Sequence, residues 1–560
     1  MSALLRPTCV AALLLFSLQL IGPGEDPKAP AIDSGLATAD QLYREGKFAE
    51  AEASYEALLK TDAKLVPAET GLVRAMLGQQ KIDEAFEVVN AALAAHSNSA
   101  ALLAAKGDVQ FRRGEMSEAE KSYLGAEKID PKEVRAHLGL AQVYRSFSLY
   151  GRAYVHLQIA HQIAPDDFAV EVAWLNVLPQ KQRLAAIESY LNNPHPDIGE
   201  QTKTLTAYLE SLKGTIDSPI HACRLVSNVE QTDTPLEALH GRNESQDRVR
   251  VGMNLSTKIN NQNVLLQLDT GASGIVLNRR VAEKAGVSRL SAAYARGIGD
   301  QGARSGYRGL AEHVQIGDLE FQDCVVLVTD LPSRGLGLIG TDVFGSYLVD
   351  IDLPKMRLRL SPLPKRPEDP TAATWLNSEA EDPANAEQPE RSTAGPRSTG
   401  QSAFPLAPPP SPRLPRDRYI APEMVNWTQV FRFGNIFLVP TSVNGSKPLL
   451  FVLDTGSPNN VLSVRAGQLI GQVRSEDRMQ VTGMSGNAKQ VYSSDKASLR
   501  FGHFEQPNNY AITLDLSAMN RQNGTEVSGF LGFQVLQLLE VKLDYRDGLV
   551  DFEYSHKHTK

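Results

Sequence analysis

From about residue 34 to 167 the apolar positions recur at helical spacing, and the whole pattern repeats with a step of 34. Ala51, Ala85, Ala119 and Ala153 keep that step; so do Phe48, Ile82, Met116 and Tyr150 before them, and Tyr55, Val89, Tyr123 and Leu157 after them. Leu58, Ala92, Ala126 and Ala160 complete one face, and Pro131 and Pro165 close the third and fourth units. Apolar positions at helical spacing that recur with a constant step predict a helical repeat. Weaker helical patterning extends this region to residues 34–215. After a polar connection around 226 to 247, the pattern changes to short alternating runs rich in Val, Ile and Leu and broken by Gly and Asn, which predicts β structure.

That β-rich part is written twice. Val264 to Leu268 leads into Asp269-Thr270-Gly271-Ala272-Ser273, and Leu449 to Leu453 leads into Asp454-Thr455-Gly456-Ser457. Each apolar run follows a predicted hairpin turn, at Asn260 to Asn263 and at Asn444 to Lys447. Downstream the copies stay parallel. Ile275-Val276-Leu277 matches Val461-Leu462, and Gly297-Ile298-Gly299 matches Gly483-Met484-Ser485-Gly486, beginning 28 and 29 residues beyond their Asp. Gly337 to Gly340 matches Gly529 to Gly532, each before a closing pair of strands, Tyr347 to Leu360 and Leu539 to Phe552. Two units of this kind can bring two carboxylates face to face.

The chemistry follows from the local sequence. An apolar strand holds each Asp at the lip of a core, and a Gly two positions later lets the chain turn where a side chain would clash. Two such carboxyls in contact cannot both ionise; one keeps a proton, leaving an acid and a base side by side. Water between them becomes a nucleophile for a peptide carbonyl.

The remaining composition narrows the picture. The 560 residues allow several domains, and a hydrophobic content of 42% permits substantial cores. A net charge of −8 without a Lys/Arg stripe argues against nucleic acid as a partner. Residues 1–24 carry Arg6, an apolar run from Val10 to Ile21 and then Gly22-Pro23-Gly24, the order of a secretory signal, with an uncleaved membrane anchor as the alternative. The expected location is therefore outside the cytoplasm, periplasmic or extracellular. Three cysteines, Cys9, Cys223 and Cys324, cannot build a metal cluster; the last two could pair in an oxidising compartment or stand as isolated buried thiols. Residues 362–420 are rich in Pro, Ala, Ser and Glu, which predicts a disordered tether; its typical end separation of about 40 Å lets the two β units meet within one molecule.

The 34-residue period resembles the tetratricopeptide repeat, although Ala63 and Ser97 stand where the first two units would carry a closing Pro. Asp-Thr-Gly, then a Gly-rich hairpin, then two apolar residues and Gly, resembles the retropepsin-like aspartic proteases over residues 246–361 and 422–555. The implied fold is multidomain: an all-α tetratricopeptide-like solenoid followed by two all-β retropepsin-like lobes. By that resemblance Asp269 and Asp454 would be the catalytic carboxylates, supported by Thr270, Gly271, Thr455, Gly456 and Ser457. Thr270 and Thr455 would interlock across the lobes, Gly340 and Gly532 would pack beneath the Asp loops, and Gly297, Ile298, Gly299, Gly483, Met484 and Gly486 would form flaps over a polypeptide substrate. No metal and no organic cofactor are implied. The solenoid would dock a protein substrate or partner, or serve as a rigid spacer or oligomerisation surface.

Two departures from the pattern lie in the second copy. Pro458 stiffens its turn. Ser457 replaces Ala272 and could donate its hydroxyl to Asp454, which predicts Asp454 as the ionised member of the pair. The expected function is an aspartic endopeptidase acting as a pseudo-dimeric monomer. The alternatives are lobes active only as homodimers, a self-processing factor that cuts its own tether, and a non-catalytic peptide-binding scaffold.

Overall fold

Helices that share the 34-residue step also share their boundaries. In the computed structural model, α2 (Phe48–Thr61), α4 (Ile82–Ala95), α6 (Met116–Ile129) and α8 (Tyr150–Ile163) alternate with α1 (Ala29–Arg44), α3 (Val66–Gly78), α5 (Ala100–Arg112), α7 (Val134–Ser146) and α9 (Phe168–Leu175), followed by α10 (Gln180–Asn192). The structure describes residues 29–192, 205–206, 208–210, 212–213, 223–242, 247–295, 297–299, 302–331, 337–367, 415–471, 473–475, 481–488, 490–509 and 511–554. The apolar stretch at 1–24 lies outside these residues, and among the described residues no helix is long and apolar enough to cross a membrane.

The repeat is held by small-to-large packing. Ala51, Ala85 and Ala119 are fully buried, and the Tyr123 ring lies so close to Gly107 and Gly139 that a side chain at either position would collide with it. The interior is close-packed and yields little to an added methyl group, so the glycines fix the spacing of neighbouring helices. The units that lack the closing Pro end their second helix at the same point as those that have it, because the burial of Leu58 and Ala92 sets the boundary.

Each β lobe is built on the same threaded plan. A hairpin comes first, Arg248–Ile259 with Gln262–Asp269 in one lobe and Ile436–Val443 with Leu449–Leu453 in the other. Its turn uses left-handed residues, Asn260 and Asn261 in the first copy and Asn444 and Gly445 in the second, so Asn supplies there what Gly supplies in the other. The late strand Gly337–Gly340 then runs parallel to the Asp269 strand and antiparallel to Ile275–Asn278, which places it between them. Gly529–Leu531 does the same between Leu449–Leu453 and Asn460–Ser463. The insertion brings Gly340 opposite Asp269 and Leu531 opposite Leu453.

The lobes join through their closing strands. Tyr347–Asp352 pairs antiparallel with Leu539–Asp544, with Val349 opposite Leu543 and Ile351 opposite Val541. Those four residues are buried, and one hydrophobic core runs through both lobes. The stretch expected to be a polar connection is instead a strand, Thr232–Arg242, paired with Arg357–Pro362 and with Arg248–Ile259, so the first lobe begins well before residue 246. Its inward face is Thr232, Thr234 and Leu236, all buried; threonines on that face hide the apolar alternation. Cys223, just upstream, is disulfide-bonded to Cys324.

The helical array is not a free arm. The turn between α5 and α6 and the turn between α7 and α8 rest on the back of the second lobe, where Phe111 meets Phe433 and Phe147 meets Phe431, ring centroids 6.0 and 5.1 Å apart. Thr525 donates to the Phe111 carbonyl at 2.6 Å, and the backbone N–H of Glu526 to that of Arg112 at 2.9 Å. Buried Leu438, Leu450 and Val452 of the lobe share a core with Met116, Leu140 and Val143 of the array. The tether is anchored at both described ends on one turn of the second lobe: Arg366 pairs with the Asp547 carboxylate at 2.5 Å, and the Tyr419 N–H donates to it at 2.8 Å. Asp417 also meets the helical array, accepting the Arg152 N–H at 3.0 Å; residues 368–414 lie outside the described part.

Candidate active site

The Asp269 strand and the Asp454 strand end side by side, and the next residue in each locks the two ends together. The Thr270 hydroxyl donates to the Leu453 carbonyl (2.7 Å) and accepts the Thr455 N–H (2.9 Å). The Thr455 hydroxyl donates to the Leu268 carbonyl (3.1 Å) and accepts the Thr270 N–H (3.1 Å). Both threonines are buried, so four backbone groups at the centre of the molecule depend on two side chains. A further link comes from Gln267, whose side-chain amide donates to the Gly456 carbonyl at 3.2 Å.

This interlock brings the two carboxyl groups within hydrogen-bond reach of each other. Asp269 accepts the Gly271 N–H at 2.9 Å; Asp454 accepts those of Gly456 at 2.9 Å and Ser457 at 3.0 Å. The glycines are needed for a steric reason that crosses the lobes. A side chain at Gly456 would overlap the Asp269 carboxylate, and one at Gly271 would press on that of Asp454.

The pair is electrostatically unequal. Burial pushes both carboxyls above their ordinary value of 3.8, Asp454 the further of the two, because it also feels the neighbouring Asp269 charge. Asp454 is 8% exposed whereas Asp269 is only half-buried, so the charge sits better on Asp269. The hydrogen bond on which the Ser457 expectation rests is not made. The Ser457 hydroxyl donates to the Asn459 carbonyl at 2.9 Å, and only its backbone N–H reaches Asp454.

Gly340 and Gly532 pack beneath the Asp loops. A side chain at Gly340 would overlap the Ala272 carbonyl, and one at Gly532 that of Asn459. In the first lobe a carboxylate completes the support: Asp342 accepts from Ser273 Oγ (3.0 Å), from the Gly274 N–H (2.9 Å) and from Asn435 Nδ2 of the second lobe (2.6 Å). The sequence does not reveal the Asn435 link, because its two ends are 93 residues apart and neither belongs to the duplicated motif.

The two Gly-rich segments meet at their tips. In the first lobe the segment follows Ser288–Ala295 and precedes Arg304–Ile316; in the second it is the small hairpin Thr482–Gly483 with Gly486–Asn487. The Ser485 N–H donates to the Ile298 carbonyl at 2.9 Å, and the Gly297 N–H donates to Ser485 Oγ at 3.1 Å. Gly297 lies against the Met484 side chain, and Gly299, at a φ of 120°, lies against Gly486 where a side chain would collide. Ser485, inside the expected flap segment but given no role of its own there, is 3% exposed and takes part in both of these bonds. Its role was hidden because a lone Ser in a Gly-rich turn carries no pattern.

Residues 255–343 and 439–535 each match the aspartyl protease family model, and residues 42–109 match a tetratricopeptide repeat model. Among solved structures, a tetratricopeptide repeat protein from Thermus thermophilus is 18% identical, covering 32% of this chain and 98% of its own, with a TM-score of 0.27. A retropepsin-like aspartic protease from Rickettsia conorii is 24% identical over 23% of this chain and 91% of its own, with a TM-score of 0.18. An aspartic proteinase from Irpex lacteus is 11% identical over 59% of this chain and 98% of its own, with a TM-score of 0.34. No curated protein sequence matches the chain. Two stretches of the chain, in tandem, are thus similar to the aspartyl protease family, and a stretch before them is similar to the tetratricopeptide repeat.

Proposed function

We propose that this chain is an aspartic endopeptidase whose single dyad, Asp269 with Asp454, is assembled from both lobes of one molecule. The observation that carries the reading is the meeting of two desolvated carboxyls, unequal in proton affinity, across the Thr270 and Thr455 interlock. Ionised Asp269 would take a proton from a bridging water while protonated Asp454 gives its proton to the scissile carbonyl oxygen, forming a tetrahedral diol. Asp269 would then protonate the amine nitrogen and Asp454 would take back the proton from the diol. The C–N bond breaks, and the dyad returns to its starting state.

The flap tips would open to admit an extended peptide and close over it, exchanging their bonds with each other for bonds to substrate backbone. The helical array would hold a protein substrate or partner in a fixed direction relative to the second lobe, a reading supported by their shared core. Export is supported by the order of charge and apolar residues at 1–24 and by the Cys223–Cys324 bond, which persists in oxidising compartments.

The test is cleavage of an unfolded protein pool from acidic to neutral pH by the wild type, Asp269→Asn and Asp454→Asn. Activity in the wild type and its loss in both variants, with unchanged folding, is the expected result. Full activity in both variants, or none in the wild type, would sink the assignment and favour a peptide-binding scaffold.

A further inference from the structure

A second cluster of ionisable side chains lies in the helical array, on α6, α7 and α8. His137 is 1% exposed, and its Nε2 lies 2.9 Å from the Pro131 carbonyl. A carbonyl can only accept, so Nε2 carries a proton, and the neutral form of this ring has its lone pair on Nδ1. That lone pair faces His156 Nδ1 at 3.0 Å and the Glu127 carboxylate at 3.8 Å, and His156 Nδ1 is 3.9 Å from the same carboxylate oxygen.

These three separations define a point about 2.1 Å from all three atoms, which is the bond length zinc makes to imidazole nitrogen and carboxylate oxygen. We propose that Glu127, His137 and His156 form a binding site for a divalent transition-metal ion, zinc by ligand type and distance, that ties the third helical repeat to the fourth. The Pro131 carbonyl is the outer partner that fixes the His137 tautomer, as such partners do for metal-bound histidines. Glu127 and His156 keep partial exposure, which leaves room for water as a fourth ligand.

Two observations separate this cluster from ordinary surface pairing. The array holds other His–Glu pairs, His96 with Glu69 and His161 with Glu171, yet among the described residues only the Glu127 group places three ligand atoms within 4.8 Å of one another. The ligands also come from three successive helices. An ion here would tie α6 and α7 to α8, whose first residue, Tyr150, receives Arg432 of the second lobe at 2.8 Å.

The experiment uses the full chain, without a histidine tag, stripped with a chelator and titrated with zinc and, separately, with cobalt. Expected are one tight ion per chain, the intense visible absorption of four-coordinate cobalt, and a raised unfolding temperature. His156→Gln and Glu127→Gln, both at partly exposed positions, should each weaken zinc binding by about tenfold or more while leaving the stripped protein's helical content and melting unchanged. Zinc affinity unchanged in both variants would overturn the proposal. So would absence of binding at micromolar free zinc, which would leave the two rings simply sharing a proton.

Discussion

Thr270 and Thr455 each accept the other's backbone N–H and donate to the strand that carries the other's aspartate. The position of the two carboxyls is thus set by two buried hydroxyls. Thr270→Val keeps the shape and removes one hydroxyl, leaving the Leu453 carbonyl and the Thr455 N–H buried and unpaired, at a cost of about 1–3 kcal/mol each. Denaturant unfolding should show that loss. Activity should fall by about a hundredfold, because small displacements of reacting groups cost that much. Thr270→Ser retains the hydroxyl and should restore most of both.

Gly456 of the second lobe lies directly against the Asp269 carboxylate of the first. Gly456→Ala would put a methyl group into the Asp269 carboxylate. Overpacking of this kind costs about 1–3 kcal/mol, which a domain with a large core tolerates. The protein should therefore stay folded by circular dichroism while peptide cleavage is lost. An active Gly456→Ala enzyme would mean that the two carboxyls need not lie this close during the reaction.

Both dyad carboxyls sit above the ordinary value of 3.8, so both limbs of the pH profile should lie to its alkaline side. Activity should rise with pH as Asp269 ionises and fall again as Asp454 loses its proton. The stability effect has the same origin. A carboxyl whose folded value is raised binds its proton more tightly folded than unfolded, so its contribution is complete below the unfolded value and is lost as pH rises through the folded one. Replacing Asp454 by Asn removes that loss. The variant should therefore gain more stability relative to wild type near neutrality than in mild acid, as measured by denaturant unfolding at the two pH values.

Ser485 joins the flap tips through both its backbone and its side chain. Ser485→Ala removes the acceptor for the Gly297 N–H and leaves the bond to Ile298 in place. Loss of one such bond should shift the balance between closed and open tips by about 0.5–1.5 kcal/mol. Hydrogen exchange at the Gly297 amide should quicken accordingly, with the dyad's pH profile unchanged. Unaltered exchange would show that the tips are held by packing of Met484 and Ile298 instead.

Much of this architecture is legible in the sequence because it rests on short, repeated motifs. The 34-residue step fixes where α2, α4, α6 and α8 begin, and the two Asp-Thr-Gly segments mark the strand ends that meet. What the sequence hides are relations between distant or unpatterned residues. The strand Thr232–Arg242 faces its core with Thr232 and Thr234, so its alternation reads as polar. The Ser457 hydroxyl finds the Asn459 carbonyl two residues away, a local choice that composition does not decide. Phe431 and Phe433 read as an ordinary amphipathic strand, and only the fold puts them against Phe147 and Phe111. Glu127, His137 and His156 stand 10 and 19 residues apart on three helices, a spacing with no recognisable signature.

The central claim is a single dyad formed within one chain. Its most direct test is the activity of Asp269→Asn and Asp454→Asn, each alone and then mixed in equal amounts after unfolding and refolding together at low concentration. The account predicts no cleavage by either variant and no recovery on mixing, since every molecule would hold one damaged dyad. Activity in either variant alone, or activity restored by mixing, would contradict it and show that the working pair forms between molecules.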